Sequence, residues 1–208
     1  RFTVIQHFIE SKKINNVEWS AALFYEVSGD ITDPENMVCT VKDLYLMDIG
    51  SSAHTQFNYD DLAPAYNDHE EWIDNEYRLG LIHSHQAMSV FYSGEDMSEL
   101  SDNVDRYEFY LSIVVNNAND IIGRIGYLGK QISIESIQNN FVFKGQQYVF
   151  PEVETKKEID VLFYIDCEVE KPVEQVPPIY SEIIERIESL KKPPVNTKTE
   201  FTSTYNSR

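Results

Sequence analysis

Between Thr3 and Lys13 the apolar residues fall at Val4, Ile5, Phe8 and Ile9, close to the helical period, which predicts a short amphipathic helix. From Val17 to Tyr25 the chain becomes aromatic-rich and is closed by Ser28-Gly29-Asp30, the pattern of a strand and its turn. In that strand Glu18, Ser20, Ala22 and Phe24 share one face. Further strands are predicted over Met37 to Ile49, Ser52 to Tyr59, Leu79 to His85, Tyr107 to Val115, Ile121 to Leu128, Phe141 to Phe150 and Ile159 to Cys167. Asp60 to Glu76 reads as an acidic, helix-bearing insertion with Pro64 near its start, and Ser93 to Asn103 as a helix. The sum is an α/β chain of the α+β type: a mostly antiparallel, twisted sheet flanked by helices, in one domain over residues 1–167.

Beyond it, 168–180 is charged and Pro-bearing, a linker into an amphipathic helix over 181–192 set between proline pairs. That helix docks either on the domain or on another chain, including a second copy. The segment 193–208 is polar with few anchors and is expected to be disordered. The insertion over 60–76 is expected to gate a neighbouring groove, as long polar insertions beside a site commonly do.

Composition narrows the partners. Of the 208 residues 35 are acidic and 17 basic, a formal charge of −18, which disfavours binding to nucleic acid. Such a balance either steers a basic protein partner or simply keeps the chain soluble. The two cysteines, Cys39 and Cys167, lie outside any C-x-x-C pattern, so both are expected as free thiols in a reducing compartment. No run reaches the roughly 18 to 20 apolar residues of a membrane span, and Arg1-Phe2-Thr3 does not open a signal peptide. A soluble, cytoplasmic protein is expected. The start without Met is what a piece of a longer chain would have.

Chemistry concentrates between residues 83 and 96. His83 and His85 are two apart in a predicted strand and point the same way, a clamp of two nitrogens. Ser93 and Asp96 are three apart at a predicted helix start, where they serve either as an ordinary N-cap pair or as functional groups on one face. Together they spell His-x-His-x7-Ser-x2-Asp. This is similar to the metal signature of the JAMM/MPN zinc metalloprotease family, and Gly80-Leu-Ile-His-Ser-His and Phe91-Tyr-Ser-Gly-Glu-Asp also resemble it, especially its stand-alone prokaryotic and phage members.

The resemblance, which covers roughly residues 3–128, implies an MPN/cytidine-deaminase-like fold and one zinc per chain held by His83, His85 and Asp96. It also implies Ser93 as a donor to the oxyanion and an upstream Glu as general base. Glu18 matches that position; Glu10 lies in the predicted helix and Glu26 at the far end of the strand. Two departures stand out: Ala21 and Ala22 occupy places where glycine is common, and Gln86 stands where Pro or Asn often follows the second His. The implied activity is peptide or isopeptide hydrolysis on ubiquitin or a ubiquitin-like tail. A phage-type processing peptidase and a non-catalytic MPN scaffold are the alternatives. Of the other histidines, His7, His54 and His69 read as structural or solvated, and Trp19 and Trp72 as packing residues.

Overall fold

The computed structural model describes residues 5, 17–30, 33, 36–51, 55, 57–137, 140–149, 153–170 and 181–190. Its centre is a six-stranded sheet of strands β1 (Trp19–Ser28), β2 (Val38–Ile49), β3 (Arg78–Ser84), β4 (Phe109–Val115), β5 (Ile121–Ile137) and β8 (Val153–Cys167), in the order β2-β1-β3-β4-β5-β8. Only β3 and β4 run parallel, as a crossover through a helix requires; the remaining neighbours are antiparallel. The expected α+β architecture is therefore the observed one.

Alternation along β1 divides the core. Trp19, Ala21, Leu23 and Tyr25 face one layer, where Leu44, Leu46, Ile82, Leu111 and Ile125 join them. Helix α4 (Ser181–Leu190) closes that layer with Ile183 and Ile187, each worth about 1.5 to 3 kcal/mol when buried. Its apolar face is thus spent on this chain's own sheet, and Arg186 Nε donates to the Leu46 carbonyl at 3.0 Å. Ile5, the one described residue of the predicted first helix, is helical and buried in the same layer. The rest of that helix, most of the linker and the 193–208 tail lie outside the described residues.

Ala22 and Phe24 face the opposite layer. The segment expected as a lid forms a 3-10 turn (Tyr59–Asp61) and two short helices, α1 (Leu62–Asp68) and α2 (Glu71–Asp74). It is docked there: Leu62, Ala65 and Trp72 are buried, and the Trp72 ring stacks on Phe24 at 3.8 Å. The sequence read as an acidic solvated stretch because its few apolar residues are spread over two helices.

Helix α3 (Gly94–Tyr107) covers the same side of the sheet further along, with Leu100 and Val104 buried against Leu81 and Tyr110. A Cβ on Gly126 of β5 would meet Val104 Cγ2 at 2.5 Å, so the absent side chain is what lets α3 lie close to the sheet.

Four expected strands differ. The described residues among 52–59 form no strand, since Asn58 accepts from the Asp60 N–H and starts the 3-10 turn instead. The predicted strand over 141–150 is two, β6 (Asn140–Phe143) and β7 (Gln146–Val149), reversed by Lys144 and Gly145 at φ 53° and 79°. Strands β5 and β8 run well past the sheet: pairing with β4 ends at Tyr127, and 128–137 with 153–162 continue as a two-stranded ribbon on which Ile132 and Ile134 are 63% and 59% exposed. Among the described residues no helix is long and apolar enough to cross a membrane. Cys39 and Cys167 are both free thiols, and burial pushes Cys39 up to about 11.

Candidate metal centre

His83 lies near the end of β3, directly opposite Ser20 of β1, and His85 follows just beyond the strand. The residue between them faces the other way and sets the register: Ser84 Oγ accepts the Trp19 N–H at 3.1 Å, which brings the start of β1, and Glu18 just before it, alongside the histidines. Glu18 is itself held by backbone bonds, its N–H to the Ser51 carbonyl at 2.7 Å and its carbonyl from the Gly50 N–H at 2.9 Å.

Immediately after His85 the backbone turns left-handed at Gln86, φ 50°. Proline, fixed near −65°, could not adopt this conformation, which gives a local reason for its absence at Gln86; Asn would tolerate it well, so the geometry does not explain why Gln stands in place of Asn. The loop from here to Ser93 is fastened to the end of β4. Asn116 Nδ2 donates to the Met88 carbonyl at 2.9 Å, and the Tyr92 hydroxyl to the Ser112 carbonyl at 2.7 Å. Those bonds bring the start of α3 back over the histidines.

There Ser93 and Asp96 form a capping box. Ser93 Oγ accepts the Asp96 N–H at 3.2 Å, and Asp96 Oδ2 accepts the Ser93 N–H at 2.6 Å. This is the ordinary reading of the pair, and it does not displace the other. Asp96 Oδ1 is 3.1 Å from His83 Nε2, Oδ2 is 3.8 Å from His85 Nε2, and the two Nε2 atoms are 3.1 Å apart. Zinc bonds of about 2.0 to 2.1 Å at tetrahedral angles separate neighbouring ligand atoms by about 3.3 Å. The His83 Nε2 distances to His85 Nε2 and to Asp96 Oδ1, both 3.1 Å, match that spacing; the 3.8 Å contact is made by the other carboxylate oxygen, and one ligand atom from each residue lies within 4.8 Å of the others. The residues present fit a metal ion.

The surroundings are uneven. His85 Nδ1 is 3.4 Å from the Ser89 carbonyl, the kind of bond that orients a ligating imidazole, whereas buried His83 Nδ1 has no hydrogen-bond partner. Burial alone would raise the Asp96 carboxyl, but His83 and the Ser93 N–H outweigh it and hold the group well below the usual carboxylate range.

A cavity of about 250 Å³ opens over the group, lined by Glu18, Ser20, Ser93 and all three candidate ligands. All five residues singled out in the sequence therefore meet at one place. No family model matches this chain, and no curated protein matches it. The likeness to the JAMM family is carried by these residues and their spacing alone.

The sequence reading missed the rest of the lining. Phe57, Leu81, Met88 and Phe91 supply apolar wall, and Thr55, Glu95 and Glu99 polar groups. Glu99 had a signal, since it follows Asp96 by three residues on the same helix face. Its carboxyl is pushed up to about 7, mainly by burial; His83 opposes the rise, and Asp96, Glu95 and Asp102 add to it. Among the described lining residues none comes from 60–76; the segment expected as a gate packs beside the site, on the Ala22 and Phe24 face of the sheet.

Proposed function

We propose that this chain is a zinc-dependent peptide or isopeptide hydrolase of the JAMM type, acting on ubiquitin or a ubiquitin-like protein tail. One observation carries the reading: His83, His85 and Asp96 each bring a ligand-type atom within 4.8 Å of the others, in a cavity that Glu18 and Ser93 also line. Three protein ligands leave the fourth tetrahedral position open, as a catalytic zinc site requires. A zinc ion held there supplies Lewis acidity, bringing the pKa of a coordinated water from about 15.7 to about 7.

The chain's own groups do the rest. Glu18, buried at the cavity wall and given no ligand role, takes the proton of the attacking water and returns it to the leaving amine. Ser93 Oγ uses a lone pair for the Asp96 N–H, which leaves its O–H to donate to the negative charge developing on the substrate carbonyl oxygen. The apolar wall of Phe57, Leu81, Met88 and Phe91 limits water beside these groups. A scaffold lacking catalysis would use Ser93 only as the cap of α3.

The test separates holding the metal from using it. Glu18→Gln should retain zinc and fold while hydrolysis of a ubiquitin-like fusion drops by at least about a hundredfold. Glu26→Gln, an exposed residue paired with Lys42 at 2.8 Å, controls for loss of charge. Undiminished cleavage by Glu18→Gln removes Glu18 from the mechanism. A parent protein that binds zinc and cleaves no ubiquitin-like fusion loses this substrate class, which is the outcome a processing peptidase for another protein predicts.

A further inference from the structure

On the same face of the sheet, toward the other end of β1, a second set of ligand-type side chains comes together. Asp43 of β2, directly opposite Phe24, His69 at the end of α1 and Glu71 at the start of α2 each bring one donor atom within 4.8 Å of the others. His69 was read as a solvated histidine; its side chain is only 12% exposed and its ring stacks on Trp72 at 4.1 Å with planes 10° apart.

The imidazole is flanked on both nitrogens. Nδ1 lies 3.1 Å from Glu71 Oε1, and Nε2 lies 3.5 Å from Glu182 Oε1 of α4. A carboxylate behind the far nitrogen is the arrangement that fixes the tautomer and orientation of a metal-binding histidine. Asp43 is held by donors outside the group, its Oδ2 by the Trp72 indole N–H at 3.0 Å and its Oδ1 by the Leu44 N–H at 2.8 Å. Both the ring and the carboxylate are therefore set in place before anything binds.

We propose that Asp43, His69 and Glu71 bind a divalent transition-metal cation of the zinc class, with Glu182 supporting His69 from behind. One imidazole nitrogen with two carboxylates suits zinc and its neighbours better than calcium or magnesium, which prefer oxygen alone. The ion takes its fourth ligand from water beside the exposed Glu71 side chain and acts through the fold. It ties β2, the α1–α2 segment and, through His69 and Glu182, the C-terminal helix to one point. The competing account is a protonated His69 that pairs with the same carboxylates and binds no ion.

Metal analysis of purified protein after dialysis against a small excess of zinc decides between them. The parent should carry about two zinc ions per chain, and the double variant His83→Ala/His85→Ala about one. In that double-variant background Glu71→Gln, a conservative change at a side chain 57% exposed, should remove the remaining ion, as should His69→Ala. Added zinc at about a hundred times its Kd should raise the Tm of the double variant by roughly 5 to 10 °C and leave the Glu71→Gln form unmoved. A double variant that holds no zinc overturns the proposal, and so does one whose zinc survives both Glu71→Gln and His69→Ala. If the parent holds one ion that depends on Glu71 and not on the two histidines, this site stands and the hydrolase reading falls.

Discussion

Two histidine–carboxylate groups sit on one face of the same sheet, yet they are built differently. At the His83 end, three donors meet under a helix start, with side-chain exposures of 6%, 7% and 12%, and a cavity opens onto them. At the His69 end, the imidazole has a carboxylate at each nitrogen, and its partners come from an edge strand and from segments packed outside the sheet. The first arrangement leaves room for a substrate and positions a base beside it. The second flanks its histidine with carboxylates from separate segments of the fold. Ligand chemistry is nearly the same in both, three protein groups each; what distinguishes the first is the cavity, lined also by Glu18 and Ser93, that opens onto it.

Trp72→Ala breaks the contrast most severely. It removes a fully buried ring that stacks on both Phe24 and His69 and donates to Asp43, so a loss of about 3 to 5 kcal/mol is expected in chemical denaturation. Metal analysis of the folded variant should register the damage at Asp43 and His69 while zinc at His83, His85 and Asp96 is retained. Loss from both places alike would mean that the two ends of the sheet are not independent.

A smaller change in stability, about 1 kcal/mol, is expected for Ser93→Ala, which deletes the N-cap of α3. Turnover should fall far more than that, by about a hundredfold, because the same hydroxyl donates at the substrate. Equal and small effects on both would reduce Ser93 to a cap.

The prediction for Glu99 concerns pH. Its folded carboxyl is raised to about 7 from an ordinary 4.5, so the folded protein keeps this proton where the unfolded chain releases it. Stability from this group is complete below pH 4.5 and is lost as pH rises through about 7. In chelator-treated protein, Glu99→Gln should flatten that decline in denaturant midpoints measured across the window. An unchanged slope would assign the pH dependence to other groups.

The first of the two groups was legible in the sequence and the second was not. His83 and His85 are neighbours on a strand, and Ser93 and Asp96 on one helical turn, so local periodicity already puts each pair together. Asp43, His69 and Glu71 meet only because Trp72 docks on Phe24, a tertiary contact that no spacing encodes. The same division runs through the fold. Strands buried on both faces announced themselves as short apolar, aromatic-rich runs, whereas the outer halves of β5 and β8, wet on both faces, carry no such signal and were predicted too short. The Lys144–Gly145 reversal was hidden inside a run of aromatic and β-branched residues.

The capping box has a consequence for how tightly the first site can hold an ion. Asp96 caps the α3 backbone through Oδ2 and faces His83 through Oδ1, so one carboxylate serves two equilibria at once. Fraying of the first helical turn swings that carboxylate away from the histidines, and occupancy by a cation opposes fraying to the same extent. Ion affinity and local unfolding of this turn are thus coupled reciprocally, and hydrogen exchange at the Asp96 and Met97 amides should slow as the ion concentration rises.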